Sequence, residues 1–269
     1  MRLFRTLAII FVSLFTLSVT SPSLAETSPA ALPDVQWTYQ AETGPDFWGE
    51  LNPEFATCTS GKSQSPIDLV GAEDADLLNP EFHYDPVPLN LLNNGHTVQV
   101  PYAPGSYIVL EGTRYNLLQF HFHSPSEHTV KGQQEMAELH LVHQNEAGEL
   151  AVVAVLLHSH EQGNRDSREQ ASTTAYRDLI QNLPMQAGDK VRTDKSINAQ
   201  SLLPQQTTTY RYSGSLTTPP CSESVTWLVM SQPISLPSEQ LTPYEKLLNH
   251  NNRPLQSIHK RSIQLDTSL

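Results

Sequence analysis

The sequence predicts a sheet-dominated domain with only a few short helices. Three observations carry this. Apolar runs of strand length recur between turn residues along most of the chain. Twenty prolines are scattered through it, and each one inside a helix would remove a hydrogen bond and crowd the preceding turn. Only two stretches have helical spacing, so strands outnumber helices. The 269 residues fit one large domain, and no repeat of solenoid length interrupts it.

The elements follow in chain order. Arg2 and Arg5 form a basic start, residues 7–17 are almost wholly apolar, and Ser23-Leu24-Ala25 offers small residues at a cleavage site. Residues 1–25 therefore read as a secretory signal peptide, since the apolar run is too short to anchor in a bilayer. Residues 26–34 read as a disordered polar tail, and residues 35–266 as the domain itself. Tyr107-Ile108-Val109-Leu110 is a strand closed by Glu111-Gly112. Residues 150–157 are nearly all apolar and suit a buried central strand, and residues 225–230 read similarly. A helix is expected over 168–183, where Ala175, Tyr176, Leu179, Ile180 and Leu183 recur at helical spacing before Pro184. A second is expected over 238–250, opened by Ser238 as a cap and carrying Leu241, Tyr244, Leu247 and Leu248.

The formal net charge is -12, and loss of Arg2 and Arg5 with a leader would make it two units more negative. Such an acidic surface argues against nucleic acid and anionic membrane as partners. The two cysteines, Cys58 and Cys221, are either free thiols or one bridge; export favours a disulfide.

The chemistry concentrates in Gln119-Phe120-His121-Phe122-His123. On a strand, alternate side chains share a face. Gln119, His121 and His123 then point one way, and Phe120 and Phe122 point into a core. Glu138-Leu139-His140-Leu141-Val142-His143 alternates again, with Glu138, His140 and Val142 on one face. Two histidines from one strand and one from a neighbour make three corners of a tetrahedron, leaving a fourth for water, as in catalytic zinc sites. Gln119 and Glu138 are placed to orient His121 and His140 through their second ring nitrogens. A second His-x-His, His158 and His160, runs into a polar segment at a strand end and is set aside. His143 faces away from His140 and reads as a core residue.

These residues resemble the α-class carbonic anhydrases over nearly the whole chain after the leader. The landmarks are Gly-Lys-Ser-Gln-Ser-Pro-Ile-Asp (61–68), Leu-Asn-Asn-Gly-His (92–96), Gln-Phe-His-Phe-His-Ser-Pro-Ser-Glu-His (119–128), Ala-Glu-Leu-His-Leu-Val-His (137–143), Tyr-Ser-Gly-Ser-Leu-Thr-Thr-Pro-Pro-Cys (212–221) and Asn-Asn-Arg-Pro (251–254). The resemblance implies a large, mostly antiparallel twisted sheet and a conical cleft. It implies Zn2+ on His121, His123 and His140, and zinc hydroxide attacking CO2 to give bicarbonate. Zinc lowers the pKa of its bound water to about 7, a value for which this family is the standard illustration. Thr217 matches a gatekeeper that accepts from the hydroxide and donates to Glu127. Thr218 matches the bicarbonate side, and Val142, Val152, Leu216 and Trp227 match the apolar CO2 pocket. His96 matches a proton shuttle, with an ordinary pKa near ~6.5 suited to relay, and Tyr39 a residue that orders water on that path. Thr38 departs from the family's usual glycine after the tryptophan. Cys58 and Cys221 match a pair that exported members oxidise.

Two rivals are weaker. A binding module of this fold would lack zinc-ligand histidines, and all three are present. A dedicated ester hydrolase would be expected to carry a His-Glu-x-x-His helix or a Gly-x-Ser-x-Gly elbow, and neither is found. The partner is then a small molecule, CO2 or bicarbonate, with no membrane contact after leader cleavage and an export destination in the periplasm or outside the cell.

Overall fold

Strand β9 (Ala137–Gln144) lies in the middle of a large mixed sheet and decides where the functional side chains go. The computed structural model describes residues 36–160 and 169–267; the leader and tail expected over 1–34 and the polar segment after His160 lie outside the described residues. Before β9 come β1 (Glu73–Ala75), β2 (Glu81–His83), β3 (Val87–Asn93), β4 (Val98–Pro101), β5 (Tyr107–Leu110), β6 (Thr113–His123), β7 (Thr129–Val130) and β8 (Gln133–Gln134). After it come β10 (Leu150–His160), β11 (Lys190–Ile197), β12 (Thr209–Ser215), β13 (Glu223–Met230), β14 (Ile234–Pro237) and β15 (Gln264–Asp266). The helices are short: α1 (Trp48–Leu51), α2 (Thr57–Ser60), α3 (Glu169–Ile180) and α4 (Ser238–Leu248). The order across the sheet is β1-β15-β12-β13-β10-β9-β6-β4-β3-β11, with β14 paired to β10 and β5 to β6.

Two expectations need correction. The sheet is mixed rather than mostly antiparallel: β10 runs parallel to both β13 and β14, and β1 parallel to β15. The chain between β10 and β13 is long and includes α3, which allows a crossover return that a tight hairpin does not. Ser238 is also not the cap of α4. Pro237 holds that position without a side-chain bond, and the Ser238 hydroxyl instead donates to the His160 carbonyl and pairs with Ser159 Oγ. The helix does end as such helices commonly do, with Asn249 in the left-handed region at φ 46°.

Both faces of the central strands are covered. The larger core takes Leu139 and Leu141 of β9 and Val153, Val155 and Leu157 of β10, with Tyr176 and Leu179 of α3 and Leu241 and Tyr244 of α4 above them. The smaller core takes Val142, Val152, Ala154, Leu156 and Trp227 on the other face. A strand covered twice reads as continuously apolar, which is why residues 150–157 carry no alternation. Each fully buried large side chain contributes on the order of 2–3 kcal/mol.

Strand β6 contains a register shift between Leu117 and Gln119 against β9. Before it, Tyr115 and Leu117 enter the larger core; after it, Phe120 and Phe122 do. The core-facing positions thus change from odd to even numbers, and the extra residue, Leu118, is left 43% exposed. Such a bulge inserts one unpaired residue and re-aims the side chains beyond it. Without it, alternation from Leu117 would carry His121 and His123 into the apolar core.

Candidate metal centre

The register of β6 on β9 sets His121 opposite His140 and His123 opposite Glu138. The rings of His121, His123 and His140 lie with centroids 4.7 to 5.3 Å apart. One donor atom from each falls within 4.8 Å of the others. His123 and His140 are buried, His121 partly so.

Each ring has one nitrogen engaged. His121 Nδ1 donates to Gln119 Oε1 at 2.9 Å, and His140 Nε2 to Glu138 Oε1 at 2.8 Å. His123 Nδ1 donates to the backbone carbonyl of Asn251 at 2.7 Å. That fixes the tautomers, leaving His121 Nε2, His123 Nε2 and His140 Nδ1 as lone-pair atoms. Burial holds all three imidazoles below their ordinary value, His123 at about 4, and neighbouring imidazoles push the same way at His121. They are neutral at neutral pH, the state a metal requires. His123 Nε2 is buried with no hydrogen-bond partner, and so is Glu127 Oε2, 3.5 Å from it. Two orphaned polar atoms facing one another at the focus of three neutral imidazoles are costly unless a cation completes them. The donor set therefore fits zinc.

Glu138 is the buttress of the cluster. It is fully buried and accepts from the backbone N–H groups of Glu127 and His128, both at 2.8 Å, from His128 Nδ1 at 2.6 Å and from His140. Burial alone would raise its pKa; His128, His140 and these bonds outweigh that and hold it well below the usual carboxylate range. His128, Glu138 and His140 also bring donor atoms within 4.8 Å. Those atoms are bonded to one another, so this second grouping is a support rather than a site.

Glu127 is 1% exposed. Burial pushes its carboxyl up to about 7, against His140, the Arg253 backbone N–H at 2.8 Å and the Thr217 hydroxyl. Thr217 follows β12 and is buried; Thr218 is half-buried and its carbonyl accepts from Cys221 N.

The apolar candidates form a row. Register pairs Gln119 with Val142, Val142 with Val152, and Val152 with Trp227. All three apolar side chains, with Leu216 against them, belong to the smaller core. The Trp227 ring stands edge-on to His140 at 4.9 Å. His96 is half-buried and stacks on Trp37 at 3.7 Å, with Tyr39 packed edge-on to the same tryptophan at 5.5 Å. Burial, then the charge of Glu127, raises the Tyr39 pKa well above its ordinary value, so it stays a phenol. Cys58 and Cys221 form a disulfide.

The residues set aside stay apart. His143 is buried on the opposite face, sharing a hydrogen bond with Tyr84 at 2.8 Å. His158 is exposed and pairs with Glu135. Sequence reasoning missed Asn251 and Arg253 as partners of His123 and Glu127, and His128 as a partner of Glu138. The only available signal was their presence in the landmark segments.

A family model described as eukaryotic-type carbonic anhydrase matches residues 43–267. A protein of Nostoc sp. named carbonic anhydrase is 41% identical over 250 residues, covering 91% of each chain. One of the same name from Klebsiella pneumoniae is 41% identical over 230 residues, covering 84% of this chain and 89% of its own. Among solved structures, the α-carbonic anhydrase of Thermovibrio ammonificans in complex with the inhibitor sulfanilamide is similar at a TM-score of 0.80 and 37% identity, over 86% of this chain and 99% of that one.

Proposed function

Because the chain belongs to the eukaryotic-type carbonic anhydrase family of lyase-type, CO2-hydrating enzymes, we propose that it hydrates CO2 reversibly at the three-histidine cluster, with one zinc ion as cofactor. The observation that carries this reading is the convergence of three lone-pair nitrogens, each with its other ring nitrogen engaged, on the orphaned pair His123 Nε2 and Glu127 Oε2.

His121 and His123 would hold the metal through Nε2, and His140 through Nδ1. Zinc there supplies the Lewis acidity that makes hydroxide available at neutral pH, a property for which carbonic anhydrases are the standard illustration. Thr217 donates its hydroxyl proton to Glu127, so its own oxygen is left to accept from the attacking oxygen and aim it. A cation nearby lowers a carboxyl pKa, which keeps Glu127 the acceptor in that chain. Val142, Val152, Leu216 and Trp227 make the apolar wall that receives CO2, and Thr218 lines the side on which bicarbonate leaves. The reaction yields bicarbonate and one proton from CO2 and water. His96 accepts that proton and passes it to buffer, with Tyr39 ordering the intervening water.

We also read residues 1–25 as a secretory leader and 35–266 as the catalytic domain. The disulfide supports export, since such bonds persist in oxidising compartments. Among the described residues, no helix is long and apolar enough to cross a membrane.

Protein purified without the leader is expected to carry about one zinc per chain and to hydrate CO2. A chelator should abolish the activity and added zinc restore it. Undiminished hydration by metal-free protein would overturn the reading.

A further inference from the structure

Three remote segments meet behind Glu127, and the side chain that joins them is Arg253. It is 2% exposed. Burying a guanidinium is expensive unless its donors are satisfied. Nη1 donates to Gln64 Oε1 at 2.8 Å and to the Ser65 carbonyl at 2.9 Å, and Nη2 donates to the Cys58 carbonyl at 2.8 Å. Among the described residues no carboxylate takes any of these donors, and Nε is buried with no hydrogen-bond partner. The nearby acid is Glu127, and it receives the backbone N–H of the same residue at 2.8 Å. The guanidinium thus clamps the chain at one end, and the N–H it immobilises points at the carboxylate.

The clamp is closed on its far side. Gln64 Nε2 donates to the Cys221 carbonyl at 3.1 Å and to Glu223 Oε1 at 3.0 Å. The Gln64–Arg253 pair therefore spans from the carbonyl of one half-cystine to that of the other, alongside the disulfide. Pro254 follows Arg253, so the backbone there is stiff. Two residues earlier, Asn251 lends its carbonyl to His123 and its side-chain oxygen to Ser124 N.

We propose that Arg253 is a positioning residue for CO2 hydration, acting through Glu127, and that Gln64 is its anchor. Its three side-chain bonds fix the backbone N–H that holds Glu127 Oε1, which leaves Glu127 Oε2 turned toward His123 and His140. The inference rests on the functional reading above. It requires Arg253 to matter only while residue 127 is a carboxylate.

The test is a double-mutant cycle between Arg253→Met and Glu127→Gln, with activity scaled to folded, zinc-loaded protein. A misplacement near 1 Å in such a site costs about 100-fold, so Arg253→Met should lower kcat/KM for CO2 by about ten- to 100-fold when Glu127 is present. In the Glu127→Gln background it should cost less than about twofold. Equal losses in both backgrounds would mean that Arg253 only supports the fold, and would overturn the proposal. If Arg253→Met does not fold, Arg253→Lys carries the same cycle, since a lysine keeps the charge but not the fork. A crystal structure of the folded variant gives a readout independent of activity: Glu127 Oε1 should have left the N–H of residue 253. An unmoved carboxylate also overturns the proposal. Wild-type protein that fails to hydrate CO2 would defeat the functional reading instead, while the crystal structure would still decide whether Arg253 positions Glu127.

Discussion

Replacing Glu138 by Gln changes one atom and disturbs the site whichever way the amide turns. The carboxylate accepts two bonds on each oxygen: backbone N–H groups of residues 127 and 128 on one, His128 Nδ1 and His140 Nε2 on the other. If the new NH2 faces the backbone pair, two donors meet two donors in a dry site. If it faces the imidazoles, His140 must present a bare Nε2 and carry its proton on Nδ1, the atom proposed to hold the metal. Either way two of four charge-assisted bonds are lost, at about 1.5–3 kcal/mol each, so metal-free protein should lose about 3–6 kcal/mol of stability. Disturbing such an orienting partner typically costs about 10–100-fold in metal affinity. Urea unfolding of the metal-free protein reads the first quantity, and zinc competition against a chelator reads the second. A variant within about 1 kcal/mol of wild type that also binds zinc within about twofold would refute the buttress role.

Three further outcomes are expected. His143 is held at about 3 by burial, below the ordinary value near ~6.5; the unfolded chain takes up its proton first, so this residue's contribution is full above ~6.5 and is lost as pH falls toward about 3. Comparing urea midpoints of wild type and His143→Asn between these limits should show a shallower acid loss in the variant, by at most about 1.4 kcal/mol per pH unit; an identical slope would remove His143 from the acid response. The disulfide joins residues 163 apart in sequence, and the chain-entropy treatment puts its ceiling near ~5 kcal/mol. The Cys58→Ser, Cys221→Ser double variant should unfold at lower urea than oxidised wild type, and a midpoint unchanged by reductant would contradict this. His96→Ala should slow CO2 hydration mainly in weak buffer, with rescue by added imidazole; an unchanged rate there would reject the shuttle role.

What the sequence reveals about the site is what alternation can express. Phe120 and Phe122 announce a buried face, so His121, His123 and Gln119 must share the other, and Glu138 follows from His140 by the same period. The leader-like start read at residues 1–25 and an even cysteine count point to the bridge. The orienter of His123 has no such signature: it is the backbone carbonyl of Asn251, 128 residues away, and any residue has a carbonyl. Arg253 is equally silent, because its guanidinium and its N–H serve different partners. The parallel pairing of β10 with β13 is invisible because both strands are covered on two faces and read as plain apolar runs. Ser238 looks like a helix cap by type and place, but its hydroxyl is claimed by Ser159 and the His160 carbonyl, a tertiary contact that local propensity cannot weigh.

The extra residue at Leu118 has a consequence of its own. A strand has only two sides, so placing a residue is a count modulo two. The segment 113–123 is one strand to its neighbours, yet it is two counts joined at one leftover residue: an early count that builds the core with odd numbers, and a late one that builds it with even numbers and offers the odd ones to chemistry. Lengthening that joint by two residues would preserve which side the histidines take, whereas removing one would exchange them with the phenylalanines. The three-histidine cluster therefore depends on a residue outside it, whose own side chain is 43% exposed.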